Sequence, residues 1–122
     1  DLLPILDAAA LLEFVQISQG DVIVTESGRA FAGADILQSK DLFRRQVLAH
    51  VPLVATIYQT LQQKEDGTMR DTFFLDILDE YYPDIEARQQ FDTAVDWGRY
   101  AELFEYDADD GRLRLPEAGP PV

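Results

Sequence analysis

A chain of 122 residues, 47% of them apolar, holds enough material for one real core or for two small modules. Its 23 acidic residues against 10 basic ones give a formal net charge of −13, which repels nucleic acid and the anionic face of a membrane, and the lack of cysteine removes both a disulfide frame and a zinc knuckle. No apolar run approaches the ~20 residues that cross a bilayer, and the start lacks the basic-then-apolar pattern of a secretion signal, so a cytoplasmic setting is expected.

Asp1 leads at once into an apolar-periodic stretch with no initiator methionine, and the sequence reads as a piece of a longer chain. Leu2, Leu3, Ile5, Leu6, Ala9, Ala10 and Leu12 follow a helical repeat, with Pro4 tolerable in the first turn. Phe14 to Ser18 and Val22 to Thr25 are β-prone runs around the polar turn Gln19-Gly20-Asp21, which predicts a hairpin. Thr25 is a good N-cap for a short helix through Phe31, which Gly28 and Gly33 each weaken by about 1 kcal/mol. From Asp35 a stronger amphipathic helix is expected, with Ile36, Leu37, Leu42, Phe43, Val47 and Leu48 on one side and Lys40, Arg44 and Arg45 mostly on the other, ending or kinking at Val51-Pro52 because the residue before proline avoids the α region.

Leu53, Val54, Ile57, Tyr58 and Leu61 carry the next helix, closed by Lys64 to Gly67. Thr68 and Met69 fit one short strand. Arg70 or Asp71 then opens a helix through Phe73, Phe74, Ile77, Leu78 and Tyr81, stopped by Pro83. The last helix carries Ile85, Phe91, Ala94, Val95 and Trp97, with Gly98 expected to supply the left-handed residue that ends it. The last few residues of the run from Tyr100 to Tyr106 favour a strand, Arg112 to Leu115 reads as the return arm of a second hairpin across the polar turn 107–111, and residues 116–122 are expected to be a disordered tail.

In two places a helix thus feeds a hairpin at its C-terminal end, which is how a winged helix-turn-helix is built. The expected fold is α+β, mainly helical and winged-helix-like. Residues 1–50 would form the C-terminal part of one such module, and residues 51–115 a complete one.

Three stretches resemble the AAA-associated C-terminal domain found behind the nucleotide-binding domain of nitrate, sulfonate and taurine type bacterial ABC importers. They are Thr25-Glu26-Ser27-Gly28-Arg29-Ala30-Phe31 with Ala34-Asp35-Ile36, then Leu42-Phe43-Arg44 through His50-Val51-Pro52-Leu53, and the long run from Gln90 to Tyr106 that contains Asp96-Trp97-Gly98-Arg99-Tyr100. The resemblance implies a non-catalytic accessory domain of the ATP-binding subunit, lying at the inner face of the membrane without entering it. Its partners would be the parent ATPase domain, the transporter subunits and a second copy of itself. ATP and magnesium are expected only in the parent nucleotide-binding domain, because no Gly-x-x-x-x-Gly-Lys-Ser/Thr loop and no LSGGQ-like run occurs here.

The candidate chemistry is thin. The one histidine, His50, has no cysteine or second histidine with which to form a metal triad, and a helix C-terminal position suits it. Asp107, Asp109 and Asp110 with Gly111 fail the calcium-loop spacing and read as a wet hairpin tip. Asp92 and Asp96, four apart, read as a solvated helix face and not as an acid–base pair. Arg44 and Arg45 form the one local basic pair, suited to an acidic partner or to neutralising nearby carboxylates. Trp97, Gly98, Arg99 and Tyr100 are the remaining candidates for a structural or interaction signature, with Trp97 and Phe104 assigned to the core. A DNA-binding winged-helix regulator and a small-molecule sensor are the alternative functions. The first is opposed by the acids on its presumptive recognition helix.

Overall fold

The computed structural model describes residues 9–18 and 21–116, which form an α+β, mainly helical fold with small antiparallel sheets. The described residues fall into two compact units that meet in sequence between Val51 and Pro52.

In the first unit a helical turn over residues 9–11 leads into a hairpin of β1 (Val15–Ser18) and β2 (Asp21–Val24), followed by α1 (Glu26–Gly33) and α2 (Ile36–His50). The hairpin register pairs Val15 with Val24 and Ile17 with Val22. Thr25 caps α1 as its side chain suggests, its Oγ1 accepting from the Gly28 N–H at 3.0 Å, while the same hydroxyl donates to the Glu13 carbonyl. Asp35 opens α2 with a full capping box: its Oδ1 accepts from the Gln38 N–H at 2.8 Å, and Gln38 Oε1 accepts from the Asp35 N–H at 3.3 Å. Phe14 stacks on Phe31 with ring centroids 4.7 Å apart, tying the hairpin base to α1.

The second unit runs α3 (Pro52–Gln63), β3 (Thr68–Arg70), α4 (Asp71–Asp79), α5 (Asp84–Tyr100), β4 (Glu105–Asp107) and β5 (Arg112–Arg114). Pro52 sits at the first helical position of α3, where its missing N–H costs nothing. The short strand suggested by Thr68 and Met69 joins the sheet, whose order is β3-β5-β4 with every neighbour antiparallel. Leu113 lies at its centre, opposite Met69 on one side and Tyr106 on the other, and is fully buried. Val54, Ile57 and Leu61 from α3, Phe74 from α4, and Ala87, Phe91, Ala94 and Val95 from α5 complete this core with Leu103 and Phe104. Each large side chain among them contributes about 1.5–3 kcal/mol by leaving water.

Two expectations change. α4 ends at Asp79, short of Pro83, because the Glu80 and Tyr81 amides turn back onto Ile77 and Leu78. Of the apolar residues along this stretch, Phe74 is buried in the core, whereas Phe73, Ile77 and Tyr81 are exposed. Gly98 does not end α5. It lies inside the helix, and the left-handed residue is Glu102, at φ 60. The Glu102 amide donates to the Arg99 carbonyl and the Leu103 amide to the Gly98 carbonyl, the paired reverse bonds of a left-handed helix C-cap.

The same exit occurs in the first unit. Glu13 has φ 61, its amide donates to Ala10, and the Phe14 amide donates to Ala9. In both places a glutamate takes a conformation that glycine or asparagine usually fills, and the chain passes at once into a hairpin. The helix-into-hairpin unit is therefore repeated down to its main-chain hydrogen bonds.

Candidate functional site

Two glycines mark where main chain and side chain approach most closely. A Cβ built on Gly98 would lie 2.0 Å from Phe104 Cζ, so the ring of Phe104 occupies the space left by the absent side chain. A Cβ on Gly28 would lie 2.0 Å from the Phe14 carbonyl oxygen, which fixes how closely α1 seats on the hairpin. Both belong to the stretches singled out in the sequence, and both shape the helix-to-hairpin junction.

Around the second hairpin the polar side chains form one connected cluster. The Tyr106 hydroxyl donates to Asp71 Oδ2 at 2.8 Å, joining β4 to the start of α4, and the Asp71 amide donates to the Gly111 carbonyl at 2.9 Å. Phe91 meets the Tyr106 ring edge-on at 5.7 Å. The Arg88 guanidinium lies 5.6 Å from the Phe91 ring centroid and pairs with Asp92 at 3.2 Å. Partial burial, then the hydrogen bond to Asp71, raises the Tyr106 hydroxyl above the ordinary tyrosine value, while Arg88 opposes the shift.

For this group the fold binds the neutral form. Its contribution is therefore full below the ordinary value of 10.0 and is lost as pH rises through the raised folded value. A spectrophotometric titration is expected to show a tyrosine component that ionises above the ordinary value, and Tyr106→Phe should abolish that component. The same substitution should cost about 1 kcal/mol in urea unfolding, the worth of one part-buried hydrogen bond.

The hairpin tip is a turn held by its own aspartates: Asp107 Oδ1 accepts from the amides of Asp109 and Asp110 at 3.0 and 3.2 Å. Arg112 pairs with Asp110 at 3.4 Å and Arg114 with Asp107 at 3.5 Å. Among the described residues no group of three or more acids or histidines is arranged to hold a metal ion, and no helix is long and apolar enough to cross a membrane.

The other sequence candidates are dispersed. Arg44 and Arg45 both reach Asp41, at 3.9 and 3.0 Å, so a carboxylate one turn away on α2 shares their charge. Arg45 and Asp41 line a shallow groove of about 290 Å³ with Ala30, Ala34, Gln38 and Leu42. In the stretch from Trp97 to Tyr100, Gly98 is buried, Arg99 is exposed and Tyr100 is 70% exposed. Trp97 is only partly buried, which corrects its assignment to the core, whereas Phe104, at 1% exposure, belongs there. His50, at the end of α2, places Nε2 3.0 Å from Glu13, a contact between residues 37 apart that no local pattern announces.

The charge of the surface follows from the same elements. α5 carries Asp84, Glu86, Asp92 and Asp96 against Arg88 and Arg99, and the second hairpin carries Glu105, Asp107, Asp109 and Asp110 against Arg112 and Arg114. The two elements that a winged module would present to DNA are thus each net negative.

Residues 1–107 match the model of the family described as the C-terminal AAA-associated domain. No curated protein and no solved structure matches this chain.

Proposed function

This chain belongs to the C-terminal AAA-associated domain family, and from that premise we propose that it is the non-catalytic accessory domain of the ATP-binding subunit of a nitrate, sulfonate or taurine type ABC importer, working through contacts with other proteins. In this reading it lies in the cytoplasm against the transporter, and ATP and magnesium are handled by the parent nucleotide-binding domain. The order α3-β3-α4-α5-β4-β5, with β5 between β3 and β4, supports a winged-helix module in the second unit. The observation that carries the contact role is the net negative charge of both α5 and the hairpin, which turns the usual DNA-reading surface against phosphate.

Reading the gene on the 5′ side of the Asp1 codon tests the assignment. A phosphate-binding loop and an ABC signature in the same frame are expected, and a frame containing neither contradicts it.

A second copy is one of the proposed partners. Ile17, Val22, Ile23 and Val24 are each about half exposed on the two-stranded first hairpin, an amount of apolar surface that association would cover. Light scattering at micromolar concentration is expected to give twice the 13.8 kDa chain mass, and a single-chain mass would remove the self-association part of the reading.

A further inference from the structure

At the corner where α4 turns into α5, apolar side chains stand out into solvent along a stretch of chain that carries acids and no bases. Phe73, Ile77 and Tyr81 follow one another at four-residue spacing and are 43%, 41% and 75% exposed; Ile85, in the first turn of α5, is 77% exposed. Over residues 71–87 the chain carries Asp71, Asp76, Asp79, Glu80, Asp84 and Glu86 and no lysine or arginine. All of these acids except Asp71, which holds the Tyr106 hydroxyl, are exposed. The nearest following base, Arg88, is already engaged with Asp92 and Phe91.

We propose that this corner is a docking surface for a basic amphipathic segment of another protein, one that sets apolar anchors on Phe73, Ile77, Tyr81 and Ile85 and places lysines or arginines against the surrounding carboxylates. The charges choose the occupant. A second copy would set this acidic field against itself, and anionic lipid headgroups and nucleic acid phosphates are repelled in the same way. A cationic segment with apolar residues on one helical face satisfies both parts of the surface. Desolvation first, then the neighbouring Asp84 and Asp76 carboxylates, raise Asp79 above the ordinary aspartate value, and an arriving cation would offset the carboxylate part of that. The inference deepens the protein-contact reading and rests on it, naming the surface and the chemistry of the partner.

The test uses the full chain and two fluorescein-labelled helical peptides of about 18 residues, one with leucines at four-residue spacing flanked by lysines, the other with glutamate for every lysine. Fluorescence anisotropy is expected to show saturable binding of the lysine peptide, weakening as salt is raised, and none of the glutamate peptide. The double variants Tyr81→Ser/Ile85→Ser and Asp79→Asn/Asp84→Asn should each weaken it at least about tenfold, with circular dichroism unchanged because all four side chains are exposed. Glu105→Gln/Asp109→Asn removes the same charge from the hairpin and should change affinity less than about twofold. Equal losses from corner and hairpin variants, or no binding of the lysine peptide, would overturn the inference. ABC motifs upstream of Asp1 would in that event still stand for the broader reading, and their absence beside intact peptide binding would remove that reading alone.

Discussion

Gly98→Ala is expected to destabilise the second unit by about 2–3 kcal/mol, although alanine is the better helix former by about 1 kcal/mol. The added Cβ would stand 2.0, 2.4 and 2.6 Å from three carbons of the Phe104 ring. That ring is 1% exposed, in a core closed by Phe91, Leu103 and Leu113, so it has nowhere to retreat without opening the packing. Urea unfolding followed by the fluorescence of Trp97, the only tryptophan, gives the measurement. The decisive control is the background Phe104→Ala. With the ring gone, Gly98→Ala should become neutral or stabilising, and a penalty of the same size in both backgrounds would show that the close approach is not its cause.

Gly28→Ala is the counterpart in the first unit, with an expected cost of about 2–3 kcal/mol. Here the obstacle is main chain: the Cβ would meet the Phe14 carbonyl oxygen at 2.0 Å and its carbon at 2.9 Å. That oxygen also accepts from the Thr25 amide at 3.0 Å, so moving it away disturbs the junction between hairpin and α1. Truncating Phe14 to leucine should give no relief, in contrast to the Phe104 case, because the side chain is not what blocks the methyl. Gly33→Ala supplies the reference. A Cβ there meets nothing within 4 Å, so the substitution should raise stability by about 0.5 kcal/mol through helix propensity alone. Hydrogen exchange at the Thr25 amide is expected to accelerate in Gly28→Ala and to stay unchanged in Gly33→Ala.

Local chemistry made most of the elements legible. Thr25 and Asp35 are strong caps, Val51-Pro52 is a strong stop, and the alternation from Arg112 to Leu115 predicts a strand, so these boundaries lie within a residue or two of expectation. What failed depended on tertiary context. Gly98 looked like a terminator because glycine after an apolar helix usually is one, yet its role comes from Phe104, six residues on, and Glu102 takes the left-handed conformation instead. Periodicity located α4 but could not say which of Phe73 and Phe74 would face the core, since the two adjacent aromatics fit either rotation of a helix of nine residues.

The surface was less legible than the fold. Asp71, Arg88 and Tyr106 lie far apart in sequence and come together only because β4, α4 and α5 share one end of the second unit. The acidic apolar corner was present in the composition of residues 71–87, but composition does not say which apolar side chains of a helix stand in solvent, and that came only from their exposure.

The reading as a protein-contact domain turns on whether the α5 and hairpin surface holds phosphate. An equilibrium titration of the full chain against a labelled DNA duplex in low salt tests this most directly. The charge distribution predicts no retardation at chain concentrations where ordinary non-specific binders, with dissociation constants of about 10⁻⁴–10⁻⁶ M, are already bound. A salt-dependent complex in that range, lost on removal of Arg88, Arg112 and Arg114, would contradict the account.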